Sequence, residues 1–181
     1  MLKKNILSGL PLLAVILLAA CGNSGEQKND ATAGHEQPAE TTAAAAPVKL
    51  KDDKAQAVYQ HYVHLTTALV NSDSAEAKNA GEAIATAAAE LPAGTAIADG
   101  ARKIANASSL AAQRAEYVTL SNEVIALVKS TGLSSGELYV DFCPMANDDK
   151  GANWLTASKD IQNPYFGDAM MTCGEIEETI K

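Results

Sequence analysis

The alanine content of this chain is the feature that most limits its possible folds. Apolar residues make up 47% of the 181 residues, yet there are only one tryptophan, five tyrosines and two phenylalanines. Alanine favours helices and lets neighbouring backbones approach closely, whereas sheets are rich in β-branched and aromatic side chains. The composition therefore predicts a core of closely packed helices and excludes a large β-sandwich.

Residues 1–20 have the pattern of a bacterial signal peptide, in which two lysines precede an apolar stretch too short to span a membrane. The stretch ends in Leu-Ala-Ala before Cys21, which resembles the lipobox of a lipoprotein whose cysteine carries the lipid anchor. An ordinary signal peptide followed by an incidental cysteine is the alternative. Because Gly22 rather than an aspartate follows, the pattern resembles delivery to the outer membrane, with the protein facing the periplasm.

Composition divides the rest of the chain into a tether and one domain. Residues 21–48 are rich in glycine, serine, threonine, alanine and charged residues, which predicts a flexible tether. Residues 49–181 are long enough for a single domain. The net charge of −8 makes nucleic acid a poor partner.

Apolar spacing predicts four helices, over about 50–70, 73–91, 97–104 and 109–132. Asp73 with Glu76 is expected to open the second helix as a capping box. Ser108 or Ser109 is the expected cap of the fourth helix, and Gly132 ends it. Short connections predict an up-and-down four-helix bundle. The expected buried stripes are Val58, Tyr62, Leu65 and Leu69; Ala77, Ala80, Ile84, Ala87 and Leu91; Ile97, Ala101 and Ile104; and Leu110, Tyr117, Leu120, Val124 and Leu127.

His61 and His64 lie three residues apart on the first predicted helix, a spacing at which two imidazoles can share a metal. Helical geometry places His61 at the edge of the buried stripe and His64 on the exposed face. We therefore leave both out of the primary site.

The segment 136–181 differs from the helical part, because it holds five of the eight aromatic residues and both remaining cysteines. Residues 138–143 alternate with period two and predict a strand, which Pro144 ends. Turn-forming residues follow, so a small irregular cap with a short strand or hairpin is expected on the bundle. Trp154, Tyr165 and Phe166 are expected to pack inside the cap, or to be partner contacts.

Two clusters in this cap each pair a thiol with a thioether: Cys143 with Met145, and Met170 with Cys173. Soft sulfur donors favour Cu(I), with Ag(I) as a mimic, over Zn(II). In an oxidising compartment, however, two cysteines commonly form a disulfide. The spacing leaves a Cys143–Cys173 disulfide and a metal site both open.

Longer stretches of the cap resemble the signature of an envelope family described as a domain of unknown function, found alone in lipoproteins or fused to periplasmic adaptor subunits of copper and silver efflux pumps. The similar residues are 139–147, 151–155, 161–168, Met170 and 173–175, and the similarity extends over about 50–181. The resemblance implies a role in handling monovalent copper, at Cys143, Met145, Met170 and Cys173. It departs at Ala146, where the short metal-binding modules of such adaptors have a histidine.

The resulting expectation is a non-enzymatic lipoprotein that binds Cu(I) and buffers it or passes it to an efflux adaptor. The alternative is a disulfide-stapled helical module that docks an envelope partner without metal. The sequence of the domain lacks the thioredoxin-type, nucleophile-elbow, phosphate-loop and zinc-helix motifs, which argues against an enzyme.

Overall fold

The structure, a computed structural model, describes residues 47–181. This part of the chain has four long helices, two short helical turns at Ala146–Asp149 and Gly167–Ala169, and two small sheets. The predicted signal peptide, the anchor Cys21 and residues 21–46 of the predicted tether lie outside the described residues. The helices are α1 (Asp53–Val70), α2 (Ser74–Ala88), α3 (Thr95–Asn106) and α4 (Leu110–Thr131). Among residues 47–181, no helix has both the length and the apolar character needed to cross a membrane.

Local sequence signals set most of the helix ends. The Asp73 side chain accepts a hydrogen bond from the amide of Glu76 at 2.9 Å. At the start of α4, Ser109 Oγ accepts the amide of Ala112 at 3.2 Å. Gly132 ends α4 with a φ of +76°, a conformation that costs glycine little. The predicted end signals at Asp73 and Gly132 are thus confirmed, and of the two predicted serines Ser109 is the cap. The second half of the capping box does not form, because the Asp73 amide donates to the Ala68 carbonyl oxygen instead.

Two helix boundaries differ from the prediction. Helix α1 begins at Asp53, because Leu50 belongs to a short strand and the Asp52 side chain caps the helix. Helix α2 ends at Ala88 instead of reaching Leu91. Since Pro92 disfavours helical conformation at the residue before it, the last residues form tighter turns and Leu91 is only half-buried.

Consecutive helices pack against each other, and α4 returns to contact α1, which closes the bundle. The predicted stripes of α1 and α3 are buried, as are most positions of the other two. Small residues allow close approach: a side chain at Gly81 would lie 2.9 Å from the Ala101 carbonyl oxygen on α3. Gly100 faces Leu120 on α4 less closely, because a side chain there would lie 3.6 Å from Leu120, an ordinary contact distance.

Two small antiparallel sheets are present, and each contains a register shift in one strand pairing. Strand β1 (Lys49–Leu50) pairs with β2 (Leu133–Ser135), and an antiparallel three-stranded sheet has the order β4-β3-β5. Strand β3 (Leu138–Cys143) matches the predicted strand and forms a hairpin with β4 (Ala152–Thr156), in agreement with the strand or hairpin expected in the cap. Strand β5 (Glu175–Ile180) was not predicted. The mainly helical fold with a small C-terminal sheet is confirmed.

A tyrosine network joins the cap to the bundle. Tyr62 on α1 is fully buried, and its hydroxyl accepts the backbone amide of Leu155 in β4 at 3.0 Å. The same hydroxyl lies 2.8 Å from those of Ser121 and Tyr117 on α4. These bonds link β4 to two helices, so the sheet has a defined position on the bundle.

Candidate metal centre

Cys143 is the last residue of β3 and is completely buried. It pairs with Ala152 of β4, and Pro144 begins the hairpin loop that joins the two strands. A strand holds its side chains at defined positions, so the Cys143 sulfur has little freedom to move. This cysteine is the rigid half of the candidate centre.

Cys173 lies in the loop that leads into β5 and is partly exposed. Its amide donates to the Met170 carbonyl at 3.1 Å in a tight turn. The next residue, Gly174, has a φ of +143°, and a side chain there would lie 2.8 Å from the Trp154 ring and 2.9 Å from the Phe142 carbonyl oxygen. Only glycine allows this approach, which brings the loop against β3.

Asn163 holds the Cys173 loop in place and is a residue that sequence reasoning treated only as part of a turn. Its buried side chain donates to the Cys173 carbonyl at 2.7 Å. Its Oδ1 accepts the amides of Tyr165 at 2.8 Å and Phe166 at 3.2 Å. The Asn163 side chain therefore connects the Cys173 loop to the segment of Tyr165 and Phe166. In the sequence, the only sign of this role is an asparagine followed by proline, a pattern typical of turns.

The two sulfur atoms meet. Cys143 Sγ and Cys173 Sγ lie 2.7 Å apart, although 30 residues separate them along the chain. The hydrogen bond with the Cys143 thiol, together with burial, raises the pKa of Cys173 from 9.0 to about 11. The Cys173 thiol consequently keeps its proton at neutral pH.

The two candidate methionines have different surroundings. Met170 is half-buried and is linked to Cys173 through its backbone carbonyl. Met145 is 48% exposed and lies in an open groove of about 350 Å³, here named the Met145 groove. This groove is lined by Arg114 and Val118 of α4, the loop Met145–Asp149, Tyr165 and Phe166, together with neighbouring alanines. The structure thus brings the two cysteines into contact and leaves one predicted thioether at the surface.

Other metal-binding groups do not add to this pair. Among residues 47–181, no three His, Cys, Asp or Glu side chains converge on a possible metal position. His64 Nε2 lies 2.8 Å from Glu76 Oε1 on the surface, and His61 is at the edge of the buried face, as predicted. Among the described residues, no His, Asp or Glu side chain thus joins the two cysteines at a possible metal position.

Asp141 is a second residue that the sequence did not single out. It lies on β3 two residues before Cys143 and is fully buried, and neither carboxylate oxygen has a hydrogen-bond partner among the described residues. Burial raises its pKa from 3.8 to about 7. The alternation of β3 suggested an ordinary half-exposed strand, so only the tertiary structure identifies this carboxyl group.

The aromatic residues of the cap pack inside it. Trp154 and Tyr165 are buried with their ring centroids 6.0 Å apart, and Tyr165 also packs against Tyr117 of α4. Burial raises the pKa of Tyr165 well above its usual value, with a smaller contribution from the nearby Cys143. Of the three aromatics considered as partner contacts, Phe166 alone remains half-exposed.

The helical part of the chain is similar to a known family. A family model described as Protein of unknown function (DUF3347) matches residues 58–136. The match begins within α1, includes α2, α3 and α4, and ends just before β3, so it agrees with the resemblance to a domain of unknown function. No curated protein and no solved structure matches the chain.

Proposed function

We propose that this chain is a non-enzymatic envelope lipoprotein that binds Cu(I) at its reduced Cys143–Cys173 pair. Cys21 is the proposed lipid anchor, in the outer membrane and facing the periplasm, and Ag(I) is the proposed mimic. The bound ion is either buffered or passed to a periplasmic adaptor subunit of an efflux system. The observation that carries the proposal is the meeting of two sulfur atoms from separate segments, one buried and one partly exposed.

The chemistry of the donors supports a soft ion. Two thiolates provide a low-coordinate sulfur site, and the thioethers of Met145 and Met170 lie in the adjoining segments as further neutral donors. Each thiol loses its proton on binding, whereas a thioether has none to lose. If both protons are released, the affinity for Cu(I) falls by on the order of 100-fold for each unit that the pH decreases.

Metal binding requires the pair to open. With metal–sulfur bonds of about 2.3 Å, two thiolates on opposite sides of an ion are separated by about 4.6 Å. The sulfurs therefore move apart by about 2 Å from their present separation of 2.7 Å. Cys173 is the side that moves, because it lies in a partly exposed loop while Cys143 is held in a strand.

The same proximity supports a second candidate function. Two cysteines in contact can form a disulfide when oxidised, which stabilises a small cap by about 3 kcal/mol or more. The chain would then be a stapled helical interaction module that docks an envelope partner and binds no metal. Oxidation consumes both thiols, so this state and the Cu(I) state exclude each other.

Anaerobic titration with Cu(I) against a chromophoric chelator tests the proposal. The full-length chain is purified in detergent with Cys21→Ser, which leaves Cys143 and Cys173 as its thiols. We expect one Cu(I) per reduced chain, loss of tight binding in Cys143→Ser and Cys173→Ser, and weaker binding in Met170→Leu. Met171→Leu is the matched control, because this neighbouring methionine is not a proposed donor.

Mass analysis with and without thiol alkylation, under non-reducing conditions, distinguishes the two candidate functions. A pair that is reduced by mild reductant and then retains Cu(I) supports the metal function. A pair that stays oxidised, or that retains no Cu(I) once reduced, contradicts it and favours the interaction module.

A further inference from the structure

The two thiols of the Cys143–Cys173 pair differ in their access from solution. Cys143 ends β3, the central strand of the three-stranded sheet, and none of its surface is exposed. Cys173 lies in the loop before β5 and is partly exposed. With the two sulfur atoms 2.7 Å apart, a molecule in solution reaches the pair from the Cys173 side.

The loop holds Cys173 in a fixed position at the surface. Its amide donates to the Met170 carbonyl at 3.1 Å, and its carbonyl accepts the buried Asn163 side chain at 2.7 Å. Met170 and Met171 are half-buried and Thr172 is exposed, so the chain beside the thiol is accessible as well. A macromolecule can therefore contact the segment that carries Cys173.

Access decides which sulfur of the oxidised pair takes part in disulfide exchange. A thiolate attacks one sulfur of a disulfide, a mixed disulfide forms, and the rate depends on the access to the sulfur that is attacked. The attacking sulfur approaches from the side opposite to the leaving sulfur. For attack on Cys173 that side points away from the buried Cys143, whereas attack on Cys143 would require an approach through the interior of the domain. Exchange therefore begins at Cys173.

The short distance between the sulfurs also selects the kind of partner. After attack on Cys173, the Cys143 thiolate is released next to the mixed disulfide. It can attack Cys173 again and expel the partner, because groups held in contact react far faster than a second molecule arriving from solution. A partner with one thiol is therefore expelled. A partner with a second cysteine of its own competes with Cys143 within the same complex and completes the exchange.

We propose that Cys173 is the sulfur through which this chain exchanges its disulfide with a protein that carries two neighbouring reactive cysteines, and that Cys143 is the resolving thiol. The inference goes beyond copper binding, because the exchange requires no metal. It identifies the class of partner that sets whether the pair is a dithiol or a disulfide.

The exchange balances in thiols, protons and electrons. One partner thiolate bonds to Cys173 Sγ as the bond between Cys143 and Cys173 breaks, and the released Cys143 thiolate takes up a proton. The second partner thiol loses its proton and bonds to the first partner sulfur as the mixed disulfide breaks, and the Cys173 thiolate takes up a proton. Two electrons thus pass from the partner dithiol, which becomes a disulfide, to the pair. Oxidation of the pair follows the same steps in reverse, with Cys173 attacking first.

Two single-cysteine variants of the full-length Cys21→Ser chain measure the access to each thiol. Cys143→Ser leaves Cys173, and Cys173→Ser leaves Cys143. With a chromogenic aromatic disulfide in native buffer, we expect Cys173 to react about 100-fold faster, because Cys143 reacts only after local opening of the sheet. The same reaction in urea is the control, and the two unfolded chains should react at similar rates there. Equal native rates, or a faster reaction of Cys143, contradict the proposal.

A trapping experiment on the intact pair does not depend on these substitutions. The oxidised Cys21→Ser chain is mixed with an excess of a thioredoxin domain whose Cys-X-X-Cys motif is changed to Cys-X-X-Ala, and the reaction is stopped with acid. Trypsin cleavage after Lys129, Lys150 and Lys159 places Cys143 in peptide 130–150 and Cys173 in peptide 160–181. We expect the mixed disulfide on peptide 160–181. A mixed disulfide on peptide 130–150, or equal amounts on both peptides, overturns the assignment of Cys173.

The same domain tests the requirement for two partner cysteines. We expect the Cys-X-X-Cys form to convert the oxidised pair to the dithiol at least about 10-fold faster than the Cys-X-X-Ala form or glutathione at equal concentration. Equal rates overturn the dithiol partner. All three measurements use metal-free protein, so their failure overturns this inference alone, and loss of Cu(I) binding in the titration overturns the proposed function alone.

Discussion

Replacing Asn163 by alanine tests whether this buried side chain positions Cys173. The wild-type side chain makes three hydrogen bonds, to the Cys173 carbonyl and to the amides of Tyr165 and Phe166. Alanine leaves three backbone groups without partners in the interior of the cap. At about 1 kcal/mol for each group, Asn163→Ala lowers the free energy of unfolding by about 3 kcal/mol. Part of this loss falls on the Cys173 loop, whose bond is the shortest of the three.

Two assays on the full-length Cys21→Ser chain separate these effects. Urea denaturation of the reduced protein measures the total loss of stability. A glutathione redox titration measures the effective concentration of the two thiols, and loss of one hydrogen bond on the Cys173 side should reduce it by about 10-fold. Asn153→Ala is the matched control, because it removes a single exposed bond to Glu177 and should change stability by less than about 1 kcal/mol.

The reasoning is refuted if Asn163→Ala changes neither quantity beyond the Asn153→Ala control. A loss of stability with an unchanged redox equilibrium would show that Asn163 supports the Tyr165 segment but does not position Cys173.

Three further variants test other contacts of the cap. Burial of Asp141 raises its pKa to about 7. In the metal-free protein, the free energy of unfolding is therefore highest below about pH 4, where the carboxyl is protonated in both states. It falls between about pH 4 and pH 7, where only the unfolded chain loses the proton, and is constant above that range. Asp141→Asn should remove this fall, which is at most about 4 kcal/mol, in urea titrations at several pH values. If the variant and the wild type show the same pH dependence of stability, Asp141 is not the group responsible. Gly174→Ala should displace Cys173 and cost more than about 1 kcal/mol, and an unchanged glutathione equilibrium would show that Trp154 moves aside instead. Tyr62→Phe leaves the Leu155 amide without a partner and should cost about 1–3 kcal/mol in urea, and a neutral effect would mean that the network does not hold β4.

The helical body was predictable because its signals are local. Apolar spacing places residues such as Val58 and Leu65 on one face, and a cap such as Asp73 acts within three residues. The end of α2 was missed by three residues, since turns imposed by Pro92 compete with a helical pattern that runs to Leu91. Alanine-rich stripes also carry weak information about which positions are fully buried, as Ala87 illustrates.

The cap was only partly predictable. Alternation identified β3, but β4 and β5 have no clear pattern of their own and become strands by pairing with it. Alternation also predicted one buried face, whereas β3 has buried residues on both faces. The buried carboxyl of Asp141 therefore has no signal in the local sequence.

The sequence alone determined that helices would form the body of this protein and that its soft sulfur donors would be concentrated in the C-terminal segment, because helical periodicity, capping and composition are properties of short stretches. Only the tertiary structure decided that Cys143 and Cys173 touch while Met145 faces solvent. Those positions depend on strand pairing, on the close approach at Gly174 and on the hydrogen bonds of Asn163, which join residues distant along the chain. No local pattern encodes such contacts, because each forms only when the other elements are already in place.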